Sequence, residues 1–444
     1  MSVFGWLIVL SLLFLWFWKS QCPKGFPPEP WRLPLLGNLL YFIQREPLKK
    51  LDQLGKKYGP IFSLYLGRTP LVLTYAFPSA KEVLVVQGIE FAGRASFPIM
   101  DAITSKKGIL TLRYGEIWKE QRRFSLMLLR NFGMGKKSME EKILEEASYL
   151  IQVFTENIMF IFSVCWQLYN EMPLVRSLPL PHQTILATGK KVDVFIKKEV
   201  AEHKATMTPG EPRDFTDAYL EEMQKPERIG SSFEEGQLEI LLSDHLVAGA
   251  ETTSGTLQWG LLYLMAFPEI QEKCWKEIDT VVGSKAILKY EDREKLPYTN
   301  AVIHEIQRVS NVVPLGIPHA PIKDAQLFGY KIPKDTVVFV NIQSAHHDES
   351  QWKFPNEFNP SNFLNEEGEF VKPEAFLAFS AGPRVCLGEN LARMELFFFF
   401  TSILRNFQLL WPDKSQAPDF TPHFAITQFP SHFKMLLKCR QSCE

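Results

Sequence analysis

Strong charge of one sign is absent from this sequence. Its 444 residues carry 49 basic and 50 acidic side chains, a net charge of −1, whereas a nucleic-acid-binding surface would show a basic excess. Cysteine is sparse: Cys22, Cys165, Cys274, Cys386, Cys439 and Cys443 are scattered, with no C-x-x-C pair, which argues against a zinc site or a disulfide framework. The one Asn-x-Ser/Thr triplet, Asn359-Pro360-Ser361, is blocked by its proline. Both absences fit a body kept in a reducing compartment. There is no G-x-G-x-x-G, no Walker loop and no G-x-S-x-G, and His304-Glu305 fails H-E-x-x-H because position 308 is arginine. The chain therefore carries no dinucleotide, nucleoside-triphosphate, serine-hydrolase or zincin motif of its own. His346-His347 reads as a structural pair, and no repeat or low-complexity tract is found.

What is present is apolar. With 46% hydrophobic and 22% charged residues, the chain is excluded from the disordered class and is long enough for a large core, about three domains by length alone. Val3 to Trp18 are apolar apart from Ser11, a little under the roughly 20 residues of a spanning helix. Trp16 and Trp18 end the run, and Lys19, Lys24 and Arg32 follow it, which places the body on the cytosolic side by the positive-inside rule. No basic n-region or cleavage site marks a signal peptide. Residues 1–19 are thus expected to be an uncleaved anchor. Residues 20–36 follow as a proline-rich hinge or plain spacer, between which the sequence does not choose. Residues 37–444 are expected to form the body.

The body opens with an expected hairpin, Ile61 to Leu66 and Leu71 to Thr74, joined by Gly67-Arg68-Thr69-Pro70. Val337 to Val340 is strand-like, and most of the rest reads as helix. Ser232-Phe233-Glu234-Glu235 has the form of a capping box, followed by a periodic apolar pattern to Phe267, with Pro268 as the stop. Such a helix crosses a whole domain, at about 1.5 Å per residue. The expected fold class is mostly α with a small β-sheet. In the middle of the long helix, Gly249 to Gly255 is a poor helix former. Its small residues suit either a pressing ligand or close helix contact.

Phe379-Ser380-Ala381-Gly382-Pro383-Arg384-Val385-Cys386-Leu387-Gly388 is a turn that runs into a helix from Glu389 to about Phe407. A cysteine near a helix N-terminus and beside Arg384 is expected to have a lowered pKa, as a metal ligand needs. A buried structural cysteine is the open alternative. The segment matches F-x-x-G-x-R-x-C-x-G at every fixed position, and by it the chain resembles the cytochrome P-450 superfamily. Trp118-Lys119-Glu120-Gln121-Arg122 resembles W-x-x-x-R. Ala248-Gly249-Ala250-Glu251-Thr252-Thr253 resembles the central-helix motif, and Glu305-Ile306-Gln307-Arg308 resembles E-x-x-R. The four stand in the expected order, and the anchor and hinge resemble those of microsomal members, with wording similar to vertebrate family two and its J-like fatty-acid epoxygenases.

The resemblance implies roles. Cys386 would be the axial thiolate of haem b and so the iron ligand. Arg384, Trp118, Arg122, Arg94 and His319 would meet the propionates. Phe379 would shield the thiolate, and Gly388 would leave it room. Glu251 and Thr252 would be the acid–alcohol pair that relays protons to dioxygen. Glu305 and Arg308 would be a structural ion pair, completed here by the neutral Asn362 of Pro360-Ser361-Asn362-Phe363 rather than by a cation. Phe97, Ala248, Thr253, Leu315 and Phe424 would line the substrate pocket. Electrons would come from NADPH through the microsomal reductase, with cytochrome b5 as a second partner, docking on Arg122, Arg123, Arg130, Lys136 and Lys137. The implied place is the endoplasmic reticulum membrane, in contact with lipid.

The implied activity is insertion of one oxygen atom from O2 into fatty acids such as arachidonate, steroids or xenobiotics. A haem-thiolate isomerase or dehydratase, needing no reductase, is the alternative that Glu251 and Thr252 disfavour. An incomplete, non-catalytic chain is the third. Trp118 and Thr252 are 134 residues apart, and the resemblance implies an interval longer by roughly 45–50 residues. The shortfall is expected between Asn157 and Trp166, costing the fold two helices.

Overall fold

The computed structural model describes residues 24–33, 36–44, 46–132, 169–170, 176–228, 230–283, 288–413 and 415–440. The expected anchor, Lys136, Lys137 and the junction from Asn157 to Trp166 lie outside the described residues. Among the described residues, no helix is long and apolar enough to cross a membrane.

The fold is mostly helical, as expected. Helices α1 (Pro47–Tyr58), α2 (Ala76–Lys81), α3 (Pro98–Thr104), α4 (Glu116–Phe132), α5 (His182–Thr206) and α6 (Phe215–Gln224) precede the long α7 (Glu235–Ala266). They are followed by α8 (Pro268–Val281), α9 (Pro297–Ser310), α10 (Ile342–His346) and α11 (Glu389–Asn406). The strands are β1 (Ile61–Leu66), β2 (Thr69–Thr74), β3 (Ala325–Leu327), β4 (Tyr330–Ile332), β5 (Val337–Phe339), β6 (Phe407–Leu410), β7 (His423–Phe424), β8 (Gln428–Phe429) and β9 (Leu436–Cys439). The main sheet has the order β1-β2-β5, with β1 antiparallel and β5 parallel to β2. The remaining strands pair β3–β4, β6–β9 and β7–β8.

Three details correct the expectations. The hairpin turn is shorter, because Thr69 and Pro70 already pair with Leu66 and Tyr65. That leaves Gly67 and Arg68 as the turn, with Gly67 at φ +61°, a left-handed conformation that only glycine adopts freely. Ser232 does not cap α7; its hydroxyl donates to Glu120 Oε2 at 2.7 Å instead, and Glu234 stands at the N-cap without a side-chain cap. Glu235 is drawn to Lys204 at 2.7 Å. The proline-rich stretch is also no free spacer where it is described. The amide of Ser63 on β1 donates to Pro28 O at 2.8 Å, and that of Lys331 on β4 to Gly25 O at 2.7 Å.

Helix α7 is the axis of the molecule. Its first turns, Leu238 and Leu241, pack with Phe124 and Trp118 of α4 and Val200 of α5. Its last turns, Trp259 to Met265, pack with Ile306 of α9 and Phe400 of α11. A Cβ on Gly260 would lie 2.1 Å from the Phe400 ring, so glycine there sets the close approach of α7 and α11. Pro268 occupies the first turn of α8 and has no amide to continue α7. Between its buried ends, α7 leaves Ala248 and Gly249 exposed, and a Cβ on Gly249 would meet nothing within 4 Å. A central helix with an open middle points at a space to be filled.

Candidate active site

The cysteine loop is built by close packing. A Cβ on Gly382 would fall 1.8 Å from the carbonyl oxygen of Leu84, and its φ is +70°, so only glycine lets this turn sit under the end of α2 and the turn that follows it. The Cys386 amide donates to Phe379 O at 2.9 Å, closing the loop. Gly388 caps α11, and the amides of Gly388 and Glu389 bond the Cys386 sulfur. Cys386 is an exposed residue, and yet its thiol is set deep enough for burial to act on it. A surface loop would not give that pairing, but the wall of an internal space would. Burial pushes the Cys386 thiol up, against the two amides and Arg122. This corrects the expected lowering: desolvation outweighs the helix end, and Arg384, expected to help, turns away. A bound metal would deprotonate such a thiol outright.

The cations expected at the propionates do gather. Arg384 donates to Ala92 O at 2.8 Å, Ile109 O at 3.2 Å and Leu112 O at 2.7 Å. Arg94 donates to Leu110 O at 3.0 Å and Pro318 O at 3.2 Å. Arg122 donates to Val385 O, the residue before the cysteine. The Trp118 ring lies under both Arg384, at 4.1 Å, and Arg122, at 5.4 Å, while its Nε1 donates to Ile109 O at 3.2 Å. His319 meets Phe91 O at 2.8 Å through Nδ1. Among the described residues no carboxylate pairs with Arg94, Arg122 or Arg384. Burial and mutual repulsion lower Arg384 to about 8, and burial and Arg122 lower Arg94 to about 9. Burial, with Arg94 and Arg384, lowers His319 to about 3. Buried cations without a counter-charge are costly, and a group carrying carboxylates would relieve them. With the reachable sulfur and the open middle of α7, these residues fit an iron porphyrin bearing propionates.

The carbonyls that hold Arg94 and Arg384 are themselves held. On α7, Asp244 accepts the amides of Ile109 at 2.7 Å and Leu110 at 2.9 Å, and Gln237 exchanges hydrogen bonds with Gly108 at 2.9 and 3.1 Å. Burial pushes the Asp244 carboxyl up to about 6. No motif marked Asp244 or Gln237; their partners are distant backbone atoms.

Along the open middle of α7, the Thr252 hydroxyl donates to Ala248 O at 2.7 Å. Glu251 accepts from Thr427 in the β7–β8 turn at 2.9 Å. Burial raises the Glu251 pKa, against that bond. Thr253 donates to Glu395 of α11 at 3.2 Å, so its hydroxyl is engaged away from Ala248. Phe97, Leu315 and Phe424 pack in one apolar cluster with the main sheet.

Glu305 and Arg308 form a fully buried pair, with bonds of 2.7 and 2.8 Å. Arg308 also donates to the carbonyls of His346 and Glu357, each at 2.7 Å. Asn362 donates to Glu305 at 3.1 Å, a hydrogen bond without charge, in the place where the family pattern has a cation. His346 Nδ1 meets Arg308 O at 3.1 Å, and its Nε2 accepts from the Leu377 amide at 2.9 Å, a structural role. Outside the cysteine loop, a surface hollow of about 590 Å³ is lined by Lys119, Arg122, Arg123, Arg130 and Pro383.

Comparison with known proteins gives matching results. The cytochrome P450 family profile matches residues 27–160 and 151–437. The chain is 42% identical to rabbit cytochrome P450 2J1 over 446 residues, covering 90% of this chain and 88% of that protein. It is 41% identical to human cytochrome P450 2J2 over 455 residues, with 92% and 90% covered. It is 37% identical to rat cytochrome P450 2F2 over 481 residues, with 98% and 97% covered.

Proposed function

The chain belongs to the cytochrome P450 family, and from that premise we propose that its site is that of a microsomal monooxygenase for lipophilic substrates such as fatty acids, steroids or xenobiotics. The family's members are oxidoreductases that use haem b, dioxygen and NADPH electrons passed on by a reductase. The observation that carries the reading is the set of guanidiniums of Arg94, Arg122 and Arg384, without a carboxylate among the described residues, beside a deep yet reachable Cys386 sulfur. Cys386 would bind the iron; Arg94, Arg122 and Arg384, with His319 beside them, would hold the propionates. When bound, the haem supplies dioxygen activation, by which one oxygen atom enters the substrate and the other leaves as water.

The chain's own residues supply the rest. Glu251, whose pKa burial raises against the bond from Thr427, would take up a proton and pass it inward. Thr252 spends its proton on Ala248 O, so its lone pairs stay free to accept from a water that carries that proton. An isomerase needs neither group, which favours the monooxygenase. Phe97, Ala248, Leu315 and Phe424 offer apolar contacts to a lipophilic substrate. The cationic hollow beside Pro383 suits an acidic electron donor, the reductase or cytochrome b5. Residues 1–19 would anchor the chain in the endoplasmic reticulum membrane, with residues 20–36 as hinge and 37–444 as the catalytic body in contact with lipid on the cytosolic side.

We further propose that an internal segment is missing. The family profile matches in two pieces that meet within residues 151–160. The alignment to the rabbit relative has 446 positions while using 90% of a 444-residue chain, so its surplus positions are gaps in this chain. One measurement tests the haem-thiolate reading: the reduced carbon-monoxide difference spectrum of the expressed chain. A band at about 450 nm supports the haem-thiolate monooxygenase. A chain without haem overturns that reading and leaves the incomplete, non-catalytic one.

A further inference from the structure

The active-site stretch of α7 is intrinsically weak. Gly249, Thr252, Thr253, Ser254 and Gly255 are poor helix formers, and the hydroxyls of Thr252, Ser254 and Thr256 turn back onto carbonyls of the same helix at 2.7, 3.1 and 2.9 Å, which loosens and bends it. Its open side gives it no packing at Gly249. Among the described residues, two side-chain bonds reach it from outside at this level. One is Thr427 to Glu251, from the β7–β8 turn. The other is Thr253 to Glu395, from α11.

The second bond is the more informative. Glu395 lies on the helix that starts just after Cys386, so it joins the helix behind the iron ligand to the helix carrying Glu251 and Thr252. Among the described residues no cation pairs with Glu395, and burial pushes its carboxyl up against the single bond from Thr253. A surface carboxylate would gain nothing from such a position; a carboxyl needed as an acceptor would.

We propose that Glu395 is a positioning residue: through Thr253 it fixes the rotation of the weak stretch of α7, and so the placement of Glu251 and Thr252 over the cofactor space. This rests on the monooxygenase reading for its consequence, but the tie itself does not need the haem. A glutamine keeps the acceptor oxygen and an alanine does not, so the two variants separate position from charge.

The test is hydrogen–deuterium exchange of amides 249–256 in the full chain, read by mass spectrometry with or without bound haem. Glu395→Ala and Thr253→Val should each speed exchange there by about tenfold, the loss of one buried acceptor's partner, while Glu395→Gln should stay near the parent. The double variant Glu395→Ala with Thr253→Val should exchange no faster than either single one. Where the chain carries haem, the same two single variants should consume NADPH with less product per electron, and Glu395→Gln should restore the yield. Unchanged exchange in both single variants overturns the proposal. So does equal loss in Glu395→Gln and Glu395→Ala, because a charge and not an acceptor would then be at work. A chain that never binds haem would overturn the monooxygenase reading and leave the exchange result to decide this one.

Discussion

At the scale of single residues, the site is a problem of unbalanced charge. Arg384 is buried and spends its fork on three carbonyls, those of Ala92, Ile109 and Leu112. Lysine keeps the charge but cannot reach three acceptors in a plane. Arg384→Lys should therefore lower haem retention by about tenfold to a hundredfold, measured as the rate of haem transfer to a scavenging globin. Asp244 is a second case. Its folded pKa, about 6, lies above the unfolded value near 3.8. Its contribution to stability is therefore complete below about pH 4 and is lost as pH rises through about 6. Asp244→Asn keeps an acceptor for Ile109 and Leu110 and has no charge to bury. Urea midpoints of the variant should show less decline than the parent between pH 4 and 7, and an equal decline would show that another group titrates there.

At the scale of elements, α9 is the clearest lever. Glu305 and Arg308 stand one turn apart, and Arg308 ties α9 to the 346–357 segment by its carbonyl bonds. Arg308→Leu leaves Glu305 ionised or protonated in a dry place with Asn359 and Asn362 as its remaining partners, and should cost about 3–5 kcal/mol of unfolding free energy. Denaturant titration reads that directly; a loss under about 1 kcal/mol would mean the pair is relaxed by water. The E-x-x-R spacing made this pair legible in the sequence, because i and i+3 share a helix face. The cysteine loop was legible for the same reason, since its closure is local: the Cys386 amide bonds Phe379 O and the turn runs into α11, whereas the fit of Gly382 under Leu84 is long-range. What stayed hidden is long-range. Asp244 meets amides 134 and 135 residues away, and Thr253 meets Glu395 at a separation of 142. The capping-box expectation failed similarly, since Ser232 found Glu120 at a separation of 112. A local motif states what a side chain can do, and the tertiary partner decides whether it does so.

At the scale of the whole molecule, the internal interval matters more than any single contact. The rabbit and human relatives align over 90% and 92% of the chain, yet the family profile breaks at 151–160, between α4 and α5 in the chain. On α5, Val194 and Phe195 are 67% and 51% exposed, an arrangement that leaves apolar surface wet on a helix that otherwise packs against α7. Covering a side chain of this size contributes about 1.5–3 kcal/mol, against a typical domain stability of about 5–15 kcal/mol. A few such uncovered residues therefore decide whether the domain holds together long enough to keep haem. Restoring the interval should show it. A chain with the corresponding stretch of the rabbit relative inserted between Asn157 and Trp166 should unfold at a higher urea concentration and carry more haem per chain than the parent, with its band still at about 450 nm. If both chains unfold at the same midpoint and carry the same haem, the interval is a tolerated variation and the short chain is complete in every respect that the chemistry requires. The two results differ because insertion adds covering surface without touching Cys386, Arg94, Arg384 or Glu251, so a change in haem content must come from the stability of the fold and not from the site.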